Sequence, residues 1–247
     1  MKLHKQERGL SPAMKAILPG SILVLVGAVA FLGILDAVLE GDDIETWDQP
    51  MLDWMVSIRT PWLTETMTFI TNMFGPVILP IIVAVGCAIW GLTTRKWRDP
   101  ILLASAMVMS TVLSTIVKIL VERPRPGEDL QVVPGFETSF SFPSGHTTGA
   151  STLVLVAGYL LWRRRRGKGW LAVWMLASVL IIGIVGASRL YLGYHFLSDV
   201  LAGACLGVVT LGLVVTASRL LDLRAGRDPG RPDAGDPALE GTEGSME

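Results

Sequence analysis

Apolar residues in this chain arrive in long blocks. Six of them, roughly 17–38, 67–92, 101–121, 147–162, 170–187 and 196–217, reach or approach the length needed to cross a bilayer core, about 20 residues in a helix. In lipid the backbone polar groups must pair within their own segment, so each block predicts a helix. The set predicts an all-α fold, a polytopic membrane helical bundle with six transmembrane helices. Gly75, Pro76 and Pro80 predict a bend or a late start in the second block. Between the first two blocks, Ile44, Trp47, Met51, Trp54, Met55 and Ile58 recur at helical spacing within the acidic stretch 39–65. Asp48 and Pro50 read as the cap and first turn of a short helix there. It is expected at the outer interface, either flat in the membrane surface or packed on the bundle.

Charge orients the bundle. The net charge of −1 says little, but sixteen of the 21 basic residues fall on one side of the six-span arrangement. Lys2, Lys5, Arg8 and Lys15 precede the first span, and Arg95, Lys96 and Arg98 follow the second. Arg163 to Arg166 and Lys168 follow the fourth, and Arg219, Arg224, Arg227 and Arg231 follow the sixth. The positive-inside rule makes this side cytoplasmic, with both termini inside. Tryptophans agree: Trp90, Trp97, Trp162, Trp170 and Trp174 gather at the inner boundary, and Trp47, Trp54 and Trp62 at the outer one. Only Arg59, Lys118, Arg123, Arg125 and Arg189 lie outside, and topology does not account for them.

A hydrophobic share of 51% excludes an ordinary soluble domain, and nothing points to nucleic acid as a partner. The chain divides into a basic cytoplasmic N-terminus, 1–16, a membrane domain, 17–222, and a tail, 223–247, whose Gly, Pro, Asp and Glu predict disorder. The first apolar run is longer than a signal-peptide core and reads as an uncleaved anchor. Cys87 and Cys205 lie inside spans and read as small apolar residues, with no disulfide or zinc spacing. The longest outer loop, 118–146, holds prolines and glycines that argue against a regular helix, and long loops of this kind are often functional.

Three polar clusters stand at the outer ends of the spans. Lys118, near the end of an apolar run, is followed by Arg125-Pro126. A lone charge there must snorkel or pair, and arginine offers a planar fork suited to phosphate. Pro143-Ser144-Gly145-His146 opens the fourth span, where free backbone N–H groups and the helix dipole favour an anion. Ser188-Arg189, His195 and Asp199 open the sixth, with a bend expected at Gly193. His195 and Asp199 are four apart and share a helix face, so the carboxylate can fix the imidazole tautomer. Each cluster alone has an ordinary structural reading: a snorkelling lysine, a serine cap, an interfacial ion pair. Together, on one surface chosen independently by the charge count, they describe a site for a highly charged anion. Phosphoryl transfer demands that kind of charge neutralisation. One imidazole can attack phosphorus and a second can protonate the departing oxygen. Such a set needs no metal, and no cofactor is implied.

The chain resembles the type 2 phosphatidic acid phosphatase superfamily of integral membrane lipid phosphatases. The family's signatures K-x6-R-P, P-S-G-H and S-R-x5-H-x3-D stand at Lys118 to Arg125-Pro126, Pro143 to His146, and Ser188-Arg189, His195 and Asp199. Their order and spacing match, and the resemblance covers roughly 17–217. It implies that His195 is a nucleophile forming a phosphohistidine, oriented by Asp199, and that His146 protonates the leaving group. Lys118, Arg125, Ser144, Gly145 and Arg189 would hold the phosphoryl oxygens. The implied substrate is a membrane lipid phosphate or diphosphate: undecaprenyl diphosphate, phosphatidylglycerophosphate or phosphatidate. The reaction is expected at the extracytoplasmic face of the plasma membrane. Arg123 lies outside the signatures and receives no role.

Three rival readings remain. A phosphotransferase would pass the same phosphate to a lipid or glycan acceptor. A transporter with a phosphate site would show repeats and midplane charges, which are not visible here. A metal site built on His146, His195 and Asp199 would be opposed by the neighbouring cations. The oligomeric state is left open.

Overall fold

The computed structural model describes residues 11–41, 45–133, 137–165 and 167–226. Eight α-helices and one 3₁₀ turn make up the described residues, without a strand. The α-helices are α1 (Pro12–Glu40), α2 (Glu45–Ser57), α3 (Pro61–Met73), α4 (Ile78–Thr94), α5 (Arg98–Val121), α6 (Gly145–Arg165), α7 (Lys168–Tyr191) and α8 (Leu197–Arg224). The 3₁₀ turn is Glu128–Leu130. Every expected block is helical, and most helices run several residues beyond the apolar limits. Residues 227–247 of the predicted tail, with Lys2, Lys5 and Arg8, fall outside the described residues, whereas 223–226 are described and α8 runs on to Arg224.

The second block differs from a single rod. α3 and α4 meet at 51°, across the Gly75-Pro76 break that the sequence marked. Four helices, α1, α5, α7 and α8, are long and apolar enough to cross a membrane, or five spans if α3 and α4 count as one. α6 does not qualify on composition. Its first half, GHTTGAST, is small and polar, and Thr147, Thr148, Ser151 and Thr152 are buried. A helix in the middle of a bundle needs no lipid-facing stripe, so its apolar content understates its burial.

α8 is the central element. It packs against α1, α5, α6 and α7. Glycines make the close approach possible: a Cβ on Gly212 would lie 2.7 Å from the Gly20 carbonyl of α1, and one on Gly203 would lie 2.8 Å from the Ser144 carbonyl. Small residues at the contact are the means by which helices in lipid come together. α1 and α8 run antiparallel, since Gly20 meets Gly212 and Phe31 meets Ala202 and Leu206.

The two ends of the bundle carry different chemistry. At one end Asp222 of α8 pairs with Arg98 of α5 at 2.5 Å and with Arg163 of α6 at 3.2 Å, while Asp99 pairs with Arg164 at 3.0 Å. Three of the basic residues counted as topology signals thus also hold α5, α6 and α8 together. Both ends of the described chain lie at this pole, where the Arg219 guanidinium reaches the Lys15 carbonyl. The ends carrying Lys118, Ser144, Arg189 and Asp199 converge at the other pole.

Candidate active site

Asp199 is fixed first, by helix geometry. It is the third residue of α8, and its Oδ2 accepts the Phe196 backbone N–H at 2.8 Å. That bond satisfies a donor left free at the helix start. Oδ2 also lies 3.3 Å from His195 Nδ1 and accepts the Ser141 hydroxyl. Oδ1 accepts Arg123 at 2.7 Å. Asp199 and His195 are both almost completely buried, at 0% and 1% exposure. With Nδ1–H directed at the carboxylate, Nε2 of His195 carries the lone pair. Burial first, and then the charges of Arg189, Arg125 and Lys118, hold the His195 imidazole well below its ordinary range, hence neutral.

Nε2 faces the cations. Arg125 Nη1 lies 3.3 Å away and also donates to the Tyr194 carbonyl at 2.8 Å. Nε of Arg125 donates to the Ser139 carbonyl at 2.7 Å. Arg189 comes from the last turn of α7, not from the mouth of α8 where the sequence grouped it. The chain turns between them at Gly193, which has φ +79° and whose Cβ would collide with the Leu130 carbonyl. Arg59 clamps this corner, donating to the Tyr191 carbonyl at 2.8 Å and the Leu130 carbonyl at 2.7 Å. Arg189 is 1% exposed, donates to Thr71 of α3 at 2.7 Å, and stacks on Tyr194 at 4.7 Å. Its buried Nε has no partner among the described residues.

The remaining signature residues divide. Lys118 lies in the last turn of α5 rather than in the loop, and its ammonium is bound by the Phe140 and Ser141 carbonyls. That fastens the segment bearing Ser141 beside His195. Ser144 is buried, and its Oγ accepts the Thr147 N–H at 3.4 Å, so it caps α6 while its own N–H donates to the Asp199 carbonyl at 2.9 Å. Gly145 is exposed, with open space where a Cβ would stand. His146 lies within electrostatic reach of Arg189, His195, Arg125 and Lys118. Its Nε2 would be 3.6 Å from a Cβ at Gly75, so the α3–α4 break forms the wall behind it.

Several residues at this site had no part in the sequence reading of it. Asp48 is buried and does not cap α2, which begins at Glu45. Its Oδ1 accepts the Ser198 N–H at 2.8 Å, and its Oδ2 accepts Arg123 at 2.7 Å. Arg123 therefore joins α2 to the start of α8. Ser141 and Thr71 bear no motif. Glu137 is bound by Arg125 at 2.8 Å and by Arg189, with its carboxylate 4.0 Å from His195 Nε2. Only a long-range contact map could have found these four, because each lies far in sequence from its partner.

The sequence model of the PAP2 superfamily matches residues 99–221. Phosphatidylglycerophosphatase B of Bacillus subtilis is 35% identical over 76% of this chain and 92% of its own length. Decaprenylphosphoryl-5-phosphoribose phosphatase of Mycobacterium tuberculosis is 28% identical, covering 49% of this chain and 62% of that protein. The crystal structure of a transmembrane PAP2-type phosphatidylglycerolphosphate phosphatase from Bacillus subtilis superposes with a TM-score of 0.68 at 31% identity, covering 77% of this chain and 93% of that one.

Proposed function

The chain belongs to the PAP2 superfamily and is a membrane lipid phosphatase; on that premise we propose that it hydrolyses a lipid phosphate or diphosphate through a phosphohistidine at His195. The observation that carries this is the buried Asp199–His195 pair, which leaves Nε2 unprotonated and 3.3 Å from Arg125. Nε2 attacks phosphorus and the bond from phosphorus to the oxygen of the leaving lipid alcohol or lipid phosphate breaks. His146 gives its proton to that oxygen. Water then attacks the phosphohistidine, His146 takes up a proton from it, and inorganic phosphate leaves with His195 restored. Arg125 and Arg189 neutralise the equatorial oxygens, and Ser144 and Gly145 open the helix whose N-terminus faces the same anion. Lys118 acts mainly by holding the Ser141 segment. Fixed cations do here what a metal ion does elsewhere, so activity in EDTA is expected.

Six spans fit the site's position, with α3 and α4 as one broken span and α6 as a buried one. The bundle end rich in arginine is then cytoplasmic, both termini are inside, and the reaction occurs at the extracytoplasmic face of the plasma membrane. α2 lies at that face: Trp47 and Trp54 are exposed while Leu52 and Asp48 are buried, so it both docks on the bundle and offers aromatic rings to the interface. Phosphatidylglycerophosphate is the favoured substrate, because the relative of that name matches over nearly its whole length. Undecaprenyl diphosphate and phosphatidate are the alternatives.

Phosphate release by the detergent-purified protein in EDTA tests the reading, with the three lipids offered separately and His195→Ala as control. Release from phosphatidylglycerophosphate, lost in the variant, is the expected result. Release from none of them by folded protein would contradict hydrolysis and favour transfer to an acceptor.

A further inference from the structure

One carboxylate stands where the phosphoryl group belongs. Glu137 lies in the loop between α5 and α6. Its Oε2 forms an ion pair with Arg125 Nη2 at 2.8 Å, its Oε1 accepts Arg189 Nη2, and Oε2 is 4.0 Å from His195 Nε2. A phosphorus atom poised for attack sits about 3–3.5 Å from the attacking nitrogen. Its equatorial oxygens would need the same two guanidinium groups. Glu137 and a bound phosphoryl group therefore exclude one another.

Resting on the proposed phosphatase reading, we infer that Glu137 is an internal anion that fills the phosphate site between turnovers and must be displaced by each substrate. The physical reason is the cost of the alternative. Arg189 is 1% exposed, and a buried guanidinium without a counter-charge is strongly unfavourable. The carboxylate keeps both arginines paired while the site is empty. It carries one negative charge, whereas a phosphomonoester carries nearly two at neutral pH, so substrate can displace it. The same competition acts on the product. Inorganic phosphate meets a returning carboxylate, which weakens its hold and aids release. Apparent affinity for any phosphate falls in proportion to the fraction of sites that Glu137 leaves open.

Two measurements test this. First, inorganic phosphate is titrated calorimetrically into His195→Ala protein, with and without Glu137→Gln. Glutamine keeps the shape and removes the charge, so phosphate is expected to bind about tenfold tighter, a change of ~1.4 kcal/mol. Glu137→Asp, which retains the charge, is expected to stay near the parent. Second, inhibition of lipid hydrolysis by inorganic phosphate is compared in the wild type and Glu137→Gln, where inhibition is expected at lower phosphate. Unchanged or weaker phosphate binding in folded Glu137→Gln overturns the role of Glu137, even if the wild type hydrolyses lipid phosphate. Failure of the wild type to hydrolyse any lipid phosphate, with tighter phosphate binding in Glu137→Gln, overturns the phosphatase reading and leaves the internal anion standing.

Discussion

Arg123 Nη1 lies 2.7 Å from Asp199 Oδ1, and Nη2 of the same guanidinium lies 2.7 Å from Asp48 Oδ2. One arginine at an unspecified position between Lys118 and Arg125 thus joins the carboxylate that orients His195 to a helix in the first outer loop. Its ring contact with Phe196, at 4.5 Å, adds a third hold on the start of α8. Truncation to alanine would leave two buried carboxylates facing each other. Arg123→Ala is expected to destabilise the protein by about 3–5 kcal/mol, the range for breaking one side of a buried pair. Thermal unfolding in detergent measures this. Asp48→Asn, which keeps the hydrogen-bonding shape, is expected to lower kcat more than it raises KM, because it loosens Asp199 without touching the phosphate site.

Ser141 donates to Asp199 and lies 3.3 Å from His195 Nδ1. Removing its hydroxyl deprives the carboxylate of one donor and frees the imidazole to rotate. Ser141→Ala is expected to reduce kcat by roughly tenfold, equivalent to one hydrogen bond of ~1.4 kcal/mol. An unchanged kcat would mean that Arg123 and the Phe196 N–H orient Asp199 without it.

The His195 imidazole, depressed by burial and then by Arg189, Arg125 and Lys118, is expected to remain neutral below its ordinary pKa of about 6.5. Spectra of protein labelled with ¹⁵N-histidine, with His195→Ala identifying the signal, should show the Nδ1–H tautomer at mildly acidic pH. An imidazolium signal growing in near the ordinary pKa would contradict this. Stability follows with a definite sign. Between the unfolded and the lower folded pKa the unfolded chain binds the extra proton, so this contribution is complete above about pH 6.5 and is lost as the pH falls toward the folded value.

The α1–α8 seam gives a test remote from the site. A Cβ at Gly212 would meet the Gly20 carbonyl and the Val24 N–H, both at 2.7 Å, and backbone cannot step aside. Gly212→Val is expected to cost about 1–3 kcal/mol, as overpacking does elsewhere, again read by thermal unfolding. Gly33, with open space around it, is the matched control and is expected to tolerate alanine.

Much of this was readable in the chain itself. Long apolar blocks gave the helices because lipid leaves the backbone few other choices. The Gly75-Pro76 break appeared as a bend because proline removes a donor and crowds the preceding turn. The spacing of His195 and Asp199 brought them together, and they do meet, though across the start of α8 rather than on one helix face, because His195 precedes the N-cap Phe196. What stayed hidden was tertiary. α6 looked like an ordinary span, yet its three threonines and Ser151 are buried against other helices. The bend at Gly193 was expected, but that Arg189 belongs to the last turn of α7 was not. Lys118 stood out by its charge, but its hold on the Phe140 and Ser141 carbonyls did not. Asp48 looked like a helix cap, yet it reaches Ser198 across 150 residues. Glu137 was one acidic residue among many, and only the fold reveals that it pairs with Arg125 and Arg189 beside His195.

The central claim is that His195 Nε2 becomes covalently attached to phosphorus. Rapid acid-free quenching of the enzyme with ³²P-labelled phosphatidylglycerophosphate, followed by denaturing electrophoresis under alkaline conditions, tests it directly. The account predicts a labelled protein band that survives base, is lost in acid, and is absent from His195→Ala. Steady release of phosphate from the wild type with no labelled protein at any quench time, or a label that persists in His195→Ala, would contradict it.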